Sequence, residues 1–185
     1  VADVNIGVLF ILALTSLGVY ALTLAGWSSG SKYSLLGGIR SSAQMISYEV
    51  SMGFSVAGVL LLSESLRPVA IVESQYGWMW NAIVQPIGFI TFLVSAFAET
   101  NRLPFDLPEA EPELVGGFHT EYSSTKFAGF FLAEYANMII ASAFIVTLYL
   151  GGWQIPYIDK LGLSPIVETL LCFGGFLFKM AILLF

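Results

Sequence analysis

Apolar residues in this chain do not alternate with polar ones. They come in long blocks separated by short polar stretches. Five blocks are long enough to matter: about 5–26, 41–63, 78–98, 127–150 and 165–185. A helix rises about 1.5 Å per residue, so about 20 residues cross the roughly 30 Å hydrocarbon core of a bilayer. The pattern therefore predicts an all-α fold, a polytopic transmembrane bundle with about five spans in a single domain over residues 1–185. Gly and Pro inside the blocks are compatible with this, because neighbouring helices satisfy the backbone groups they free. Gly53, Gly58, Gly174 and Gly175 offer points of close helix approach. Trp27, Trp78, Trp80 and Trp153 fall at block ends, where interfacial aromatics sit.

Composition changes the picture in one direction. Hydrophobic residues make up 57% of the 185, charged ones 11%, and the mean hydropathy is +0.82. A soluble domain carries roughly 25% charged residues, so lipid is the expected partner for much of the surface. The net charge of −6 excludes nucleic acid as a partner. The lone cysteine, Cys172, excludes an internal disulfide framework, and the lone histidine, His119, leaves no multi-histidine site, so no metal is expected. The chain opens almost at once into apolar sequence after Val1 and closes on it at Phe185, which reads as part of a longer protein.

Charge asymmetry sets the expected orientation. The loops at 27–40 and 99–126 hold Lys32, Arg40, Arg102 and Lys126, whereas the opposite loops hold Arg67 and Lys160. The positive-inside rule places the first pair of loops on the cytoplasmic or matrix side. Lys179 stands inside the last block, either as an intramembrane cation or snorkelling to the near interface.

The acids are concentrated. The loop after the third block holds Glu99, Asp106, Glu109, Glu111, Glu113 and Glu121, together with Arg102 and His119. Pro104, Pro108 and Pro112 prevent one long helix there. Pro112 suits the first position of a short helix, with Glu113 in its first turn and Gly116–Gly117 stopping it. Carboxylates crowded at a low-dielectric boundary raise one another's pKa, so such a cluster can exchange protons near neutral pH. A merely solvated acidic loop is the plain alternative, yet Phe105, Leu107, Leu114, Val115 and Phe118 are interleaved with the acids and call for a packing surface. Two further acids, Glu49 and Glu134, lie inside predicted spans. An intramembrane carboxylate faces a bundle interior or a hydrated cavity and marks function by default, the alternative being a protonated side chain bonded to a neighbouring helix. Asn137 shares a face with Glu134, and Gly53 follows Glu49 by one turn. Asp3, Glu64, Glu73, Asp159 and Glu168 read as ordinary interface residues. No nucleophile elbow or phosphate-cradling loop is present.

The loop runs Ala98-Glu-Thr-Asn-Arg-Leu-Pro-Phe-Asp-Leu-Pro-Glu-Ala-Glu-Pro-Glu-Leu-Val-Gly-Gly-Phe-His-Thr-Glu-Tyr122. This closely resembles the signature of one membrane-subunit family of respiratory complex I, the H-type subunit of the bacterial NADH–quinone oxidoreductase and subunit 1 of the mitochondrial enzyme. Ala25-Gly-Trp-Ser-Ser29, Arg40-Ser-Ser-Ala-Gln-Met-Ile-Ser-Tyr-Glu-Val50, Lys126-Phe-Ala128, Glu134-Tyr-Ala-Asn137 and Gly151-Gly-Trp153 match in the same order. The chain resembles the third to seventh of the family's roughly eight spans. The resemblance implies a bacterial inner-membrane or mitochondrial inner-membrane subunit that joins the redox arm to the membrane arm and forms part of the quinone cavity. It binds no cofactor itself. Quinone is the substrate, and flavin and iron–sulfur clusters belong to partner subunits of the hydrophilic arm. Carried over by motif, the proton-coupling residues are Glu49, Glu99, Asp106, Glu109, Glu111, Glu113, Glu121 and Glu134. Arg40, Arg102, His119, Phe118 and Tyr122 are charge partners or cavity residues, and no residue of the chain is itself a catalytic redox centre. Three rival readings are a membrane anchor of an energy-converting hydrogenase or formate-hydrogen lyase, an ion-coupled secondary transporter, and a structural scaffold. A transporter predicts inverted repeats, which the sequence does not display.

Overall fold

In the computed structural model the described residues are 4–77, 79–101, 105, 117–156, 158 and 164–184. Among them the chain is helical and contains no strand. The helices are α1 (Gly7–Ser28), α2 (Lys32–Ser63), α3 (Pro68–Ser74), α4 (Asn81–Val84), α5 (Pro86–Glu99), α6 (Ser124–Tyr149) and α7 (Pro165–Leu184), with a 3-10 turn at Gly117–His119 before α6. Four of them, α1, α2, α6 and α7, are long and apolar enough to cross a membrane.

The punctuation follows local chemistry. Gly30, at φ +69, ends α1 by the left-handed route that glycine takes without penalty. Pro68, Pro86 and Pro165 each open a helix, where the missing N–H is not needed. α2 starts at Lys32, well before the apolar block at 41: no proline lies between Gly30 and Arg40, and Gly37 and Gly38 weaken a helix without ending it.

The third apolar block departs from a single helix. It is divided into α4 and α5 at Gln85, which adopts a non-helical φ of −128 and ψ of 67. Pro86 is the reason: its ring disfavours helical geometry in the preceding residue and removes a backbone donor. The Gln85 side chain then reaches sideways and donates to the Gly58 carbonyl at 3.0 Å. α5 alone is 14 residues, about 21 Å, shorter than the hydrocarbon core.

The chain forms two compact units, one of Val1–Phe10, Phe54–Phe92 and Met138–Phe185, the other of Ile11–Gly53 and Leu93–Asn137. The first is cored by Phe92 and Tyr149, whose rings lie 5.6 Å apart, with Phe144 and Phe89 alongside. The buried Tyr149 hydroxyl donates to the Ser55 carbonyl at 3.1 Å. Gln75, 1% exposed, uses its whole amide. Its nitrogen donates to Ile71 and Thr147 carbonyls, and its oxygen accepts from the backbone N–H groups of Asn81 and Gly151. Asn81 in turn donates to the Leu148 carbonyl at 2.8 Å. A buried helix end leaves carbonyls that need partners, and here side chains distant in sequence supply them.

In the second unit α1 and α2 pack through small residues. A Cβ on Gly26 would stand 2.7 Å from the Ser34 carbonyl oxygen and 3.2 Å from Gly38 Cα. The Thr23 and Ser42 hydroxyls meet at 2.6 Å across this contact. Large apolar side chains are highly exposed in the first unit as well: Leu61 and Ile87 are each 81% exposed and Phe54 77%. Polar residues on the helices, such as Thr15, Ser47 and Thr169, bond back to carbonyls three or four residues earlier. That is how hydroxyls are accommodated in an apolar surrounding.

Candidate functional site

The described candidate residues fall in the second unit. Glu49 is half-buried on α2, and Glu99 is half-buried as the last residue of α5, just past the apolar run that ends at 98. Burial first, and the nearby Glu49 carboxylate second, push the Glu99 carboxyl from 4.5 up to about 7. A carboxylate on α2 thus bears on the acid that ends α5.

A polar tie holds the backbone beside this pair. The Gln44 amide nitrogen, on α2, donates to the Ala98 carbonyl at 2.9 Å, the Asn101 side-chain oxygen at 3.2 Å and the Phe105 carbonyl at 2.9 Å. The Asn101 amide donates to the Ser41 hydroxyl at 3.0 Å. Asn101 sits at φ +50, a conformation Asn tolerates better than most side chains. Tyr48 meets Phe105 edge-on, with ring centroids 5.5 Å apart. The start of the acidic loop is therefore fixed to α2 over Ser41, Gln44 and Tyr48.

The far end of the loop is fixed too. A Cβ on Gly37 would stand 2.8 Å from both Gly117 Cα and the Phe118 nitrogen, so backbone meets backbone there. Phe118 is buried. Tyr122 donates its hydroxyl to the Ala25 carbonyl at 2.8 Å and lies 2.5 Å from the Ser28 hydroxyl. His119 is half-buried in an aromatic nest, edge-on to Phe118, Phe127 and Phe131 at 5.2, 5.5 and 6.2 Å. Tyr122 and Phe118 each pack on Phe130.

Glu134 is half-buried on α6 in the same unit, while Glu121 and Arg40 are exposed. Arg102, Asp106, Glu109, Glu111 and Glu113 lie outside the described residues, as do Trp78 and the short helix expected after Pro112. Gln44, Ser41 and Asn101 join the site although none of them carries a charge. All three lie within the matched motifs. Their signal in the sequence is a polar uncharged residue in or beside an apolar block, which needs a partner in lipid.

Lys179, in the first unit, directs its side chain at the segment that follows α6. Its ammonium lies 2.8 Å from the Leu150 carbonyl, 3.0 Å from Gly152 and 2.9 Å from Gln154, and 4.8 Å from the centre of the Trp80 ring.

Long apolar helices carrying half-buried carboxylates define a multi-pass membrane protein. A family model described as NADH dehydrogenase matches residues 1–185, and the chain belongs to this family. It is 63% identical over 161 residues to NADH-quinone oxidoreductase subunit 8 of Rhodothermus marinus, covering 85% of this chain and 47% of that protein. It is 60% identical over 173 residues to the NADH-quinone oxidoreductase H-type subunit of Salinibacter ruber, covering 91% and 50%. It is 50% identical over all 185 residues to an H-type subunit of the same enzyme from Cytophaga hutchinsonii, covering 54% of that protein. The chain spans about half the length of the curated relatives it matches.

Proposed function

We propose that the chain is part of the membrane subunit of a proton-pumping NADH–quinone oxidoreductase, and that it helps shape the quinone cavity and couples quinone reduction to proton movement. The observation that carries this is the pairing of Glu99 with Glu49 beside a loop rooted to α1 and α2, in a chain whose relatives are named for quinone oxidoreduction. The membrane is a bacterial or mitochondrial inner membrane, with loops 27–40 and 99–126 on the cytoplasmic or matrix side. Flavin and iron–sulfur partners belong to the hydrophilic arm, and other membrane subunits flank the chain.

A quinone that takes two electrons takes two protons, and the local charge changes on the way. Two unit charges about 4 Å apart interact by about 4 kcal/mol at an effective dielectric near 20. That displaces a carboxyl by about 3 pKa units. Glu99, its carboxyl raised to about 7, can be switched by such a change. Glu49 and Glu134 pass it into the membrane, with Asp106, Glu109, Glu111, Glu113 and Glu121 as further exchangeable sites and Arg40 and Arg102 as counter-charges. His119, Phe118 and Tyr122 line the quinone side.

The experiment replaces Glu134 or Glu113 by Gln in the complete enzyme in sealed membranes. Quinone reductase activity and proton pumping are then followed together. A fall in either, in at least one variant, is expected; unchanged rates and unchanged pumping in both would end this account.

A further inference from the structure

Lys179 is an ammonium inside an apolar helix, and the proposed coupling does not use it. Its surroundings are unusual in having all three N–H protons matched by backbone carbonyls, those of Leu150, Gly152 and Gln154, at 2.8 to 3.0 Å. An ammonium has three protons to give, one for each of these acceptors. The carbonyls belong to the reversal that follows α6. Gly151 and Gly152 take φ of +70 and +55, which lets carbonyls at alternate positions turn toward one point. No side chain fits at Gly152, whose added Cβ would lie 2.6 Å from Val72. The C-terminal end of α6 contributes its partial negative charge, and the face of Trp80 closes the site as a cation-binding surface. The Gln154 side-chain oxygen is buried without a hydrogen bond, a further oxygen on the same short segment.

We propose that these groups form a monovalent-cation site built into the chain, which Lys179 fills as a tethered ammonium. The chemistry is that of backbone carbonyls replacing the hydration shell of a potassium-sized ion. It does not suit a divalent metal, which calls for carboxylates. Removing the side chain beyond Cβ leaves a vacant cage whose ligand class is a small primary ammonium or potassium. The site stands independently of the quinone reading.

The test uses the assembled enzyme carrying Lys179→Ala, with its thermal midpoint followed as ethylammonium, potassium or choline chloride is added. The variant should melt several degrees lower. Ethylammonium or potassium at millimolar concentration should recover at least half of the loss, saturably, while choline, too large for the cage, should not. A midpoint equal to the parent enzyme, or equal responses to all three salts, would overturn the proposal. If the variant does not assemble, amine acylation of the unmodified enzyme decides. Lys179 should react at least tenfold more slowly than Lys32 or Lys126, and Trp80→Leu should narrow that gap. Acylation of Lys179 at the rate of the other two, or a gap indifferent to Trp80→Leu, would overturn it equally.

Discussion

The side-chain nitrogen of Gln44 lies 3.2 Å from the side-chain oxygen of Asn101, and the same nitrogen holds the carbonyls of Ala98 and Phe105. One uncharged amide on α2 thereby fixes the backbone on both sides of Asn101. Gln44→Leu leaves those acceptors without their donor, a loss of about 1–3 kcal/mol. The expected result is faster amide hydrogen exchange across residues 96–101 in the assembled enzyme and a severalfold fall in quinone reductase activity.

Asn101 separates two contributions of one residue. At φ +50, Asn101→Gly keeps the backbone conformation and loses only the amide contacts to Gln44 and Ser41. Asn101→Val adds a β-branched side chain where the left-handed region is costly, by roughly 1–2 kcal/mol more. Thermal midpoints should fall in the order parent, Gly, Val. Equal values for the two variants would show that backbone strain has no part in it.

Glu99 gives a pH dependence with a definite sign. Below pH 4.5 the carboxyl is protonated whether the chain is folded or unfolded. Between 4.5 and about 7 the unfolded group ionises while the folded one resists, so stability falls as pH rises and levels off above about 7. The full effect is at most about 3 kcal/mol, reduced by the group's partial exposure. Thermal midpoints measured across this range should slope downward in the parent enzyme and flatten in Glu99→Gln. In Glu49→Gln the slope should move to lower pH, because the second cause of the shift is gone.

Gly37 marks where α2 meets the backbone of Gly117 and Phe118. Gly37→Ala puts a methyl 2.8 Å from both, with no flexible side chain to yield. A cost of about 1–3 kcal/mol follows, visible as reduced assembly in membranes. By contrast Gly53→Ala, with open space at its Cβ, should be tolerated.

Much of the fold is legible in the amino-acid sequence. Blocks of apolar residues near the length of a bilayer crossing reveal the helical class, because lipid leaves few other solutions for the backbone. The loop acids stand out because charges are rare elsewhere in the chain. The break at Gln85 is not legible, since a proline inside an apolar block is compatible with either a kink or a new helix start. Gln44 and Asn101 show in the sequence only as polar residues in need of partners; that they partner each other depends on a contact between residues 57 apart. Lys179 is recognisable as a cation, but its partners are carbonyls, which every residue possesses and no pattern of side chains reveals.

The end of α6 has a consequence for biosynthesis. The carbonyls of Thr147, Leu148 and Leu150 are satisfied by Gln75, Asn81 and Lys179. The first two are already made when α6 leaves the ribosome, but Lys179 belongs to the following helix. The reversal after α6 is therefore made before its Leu150 carbonyl has this partner, and arrival of α7 supplies it. A nascent chain arrested before residue 179 should leave that reversal open to a membrane-insertion chaperone, and release of the arrest should end the association.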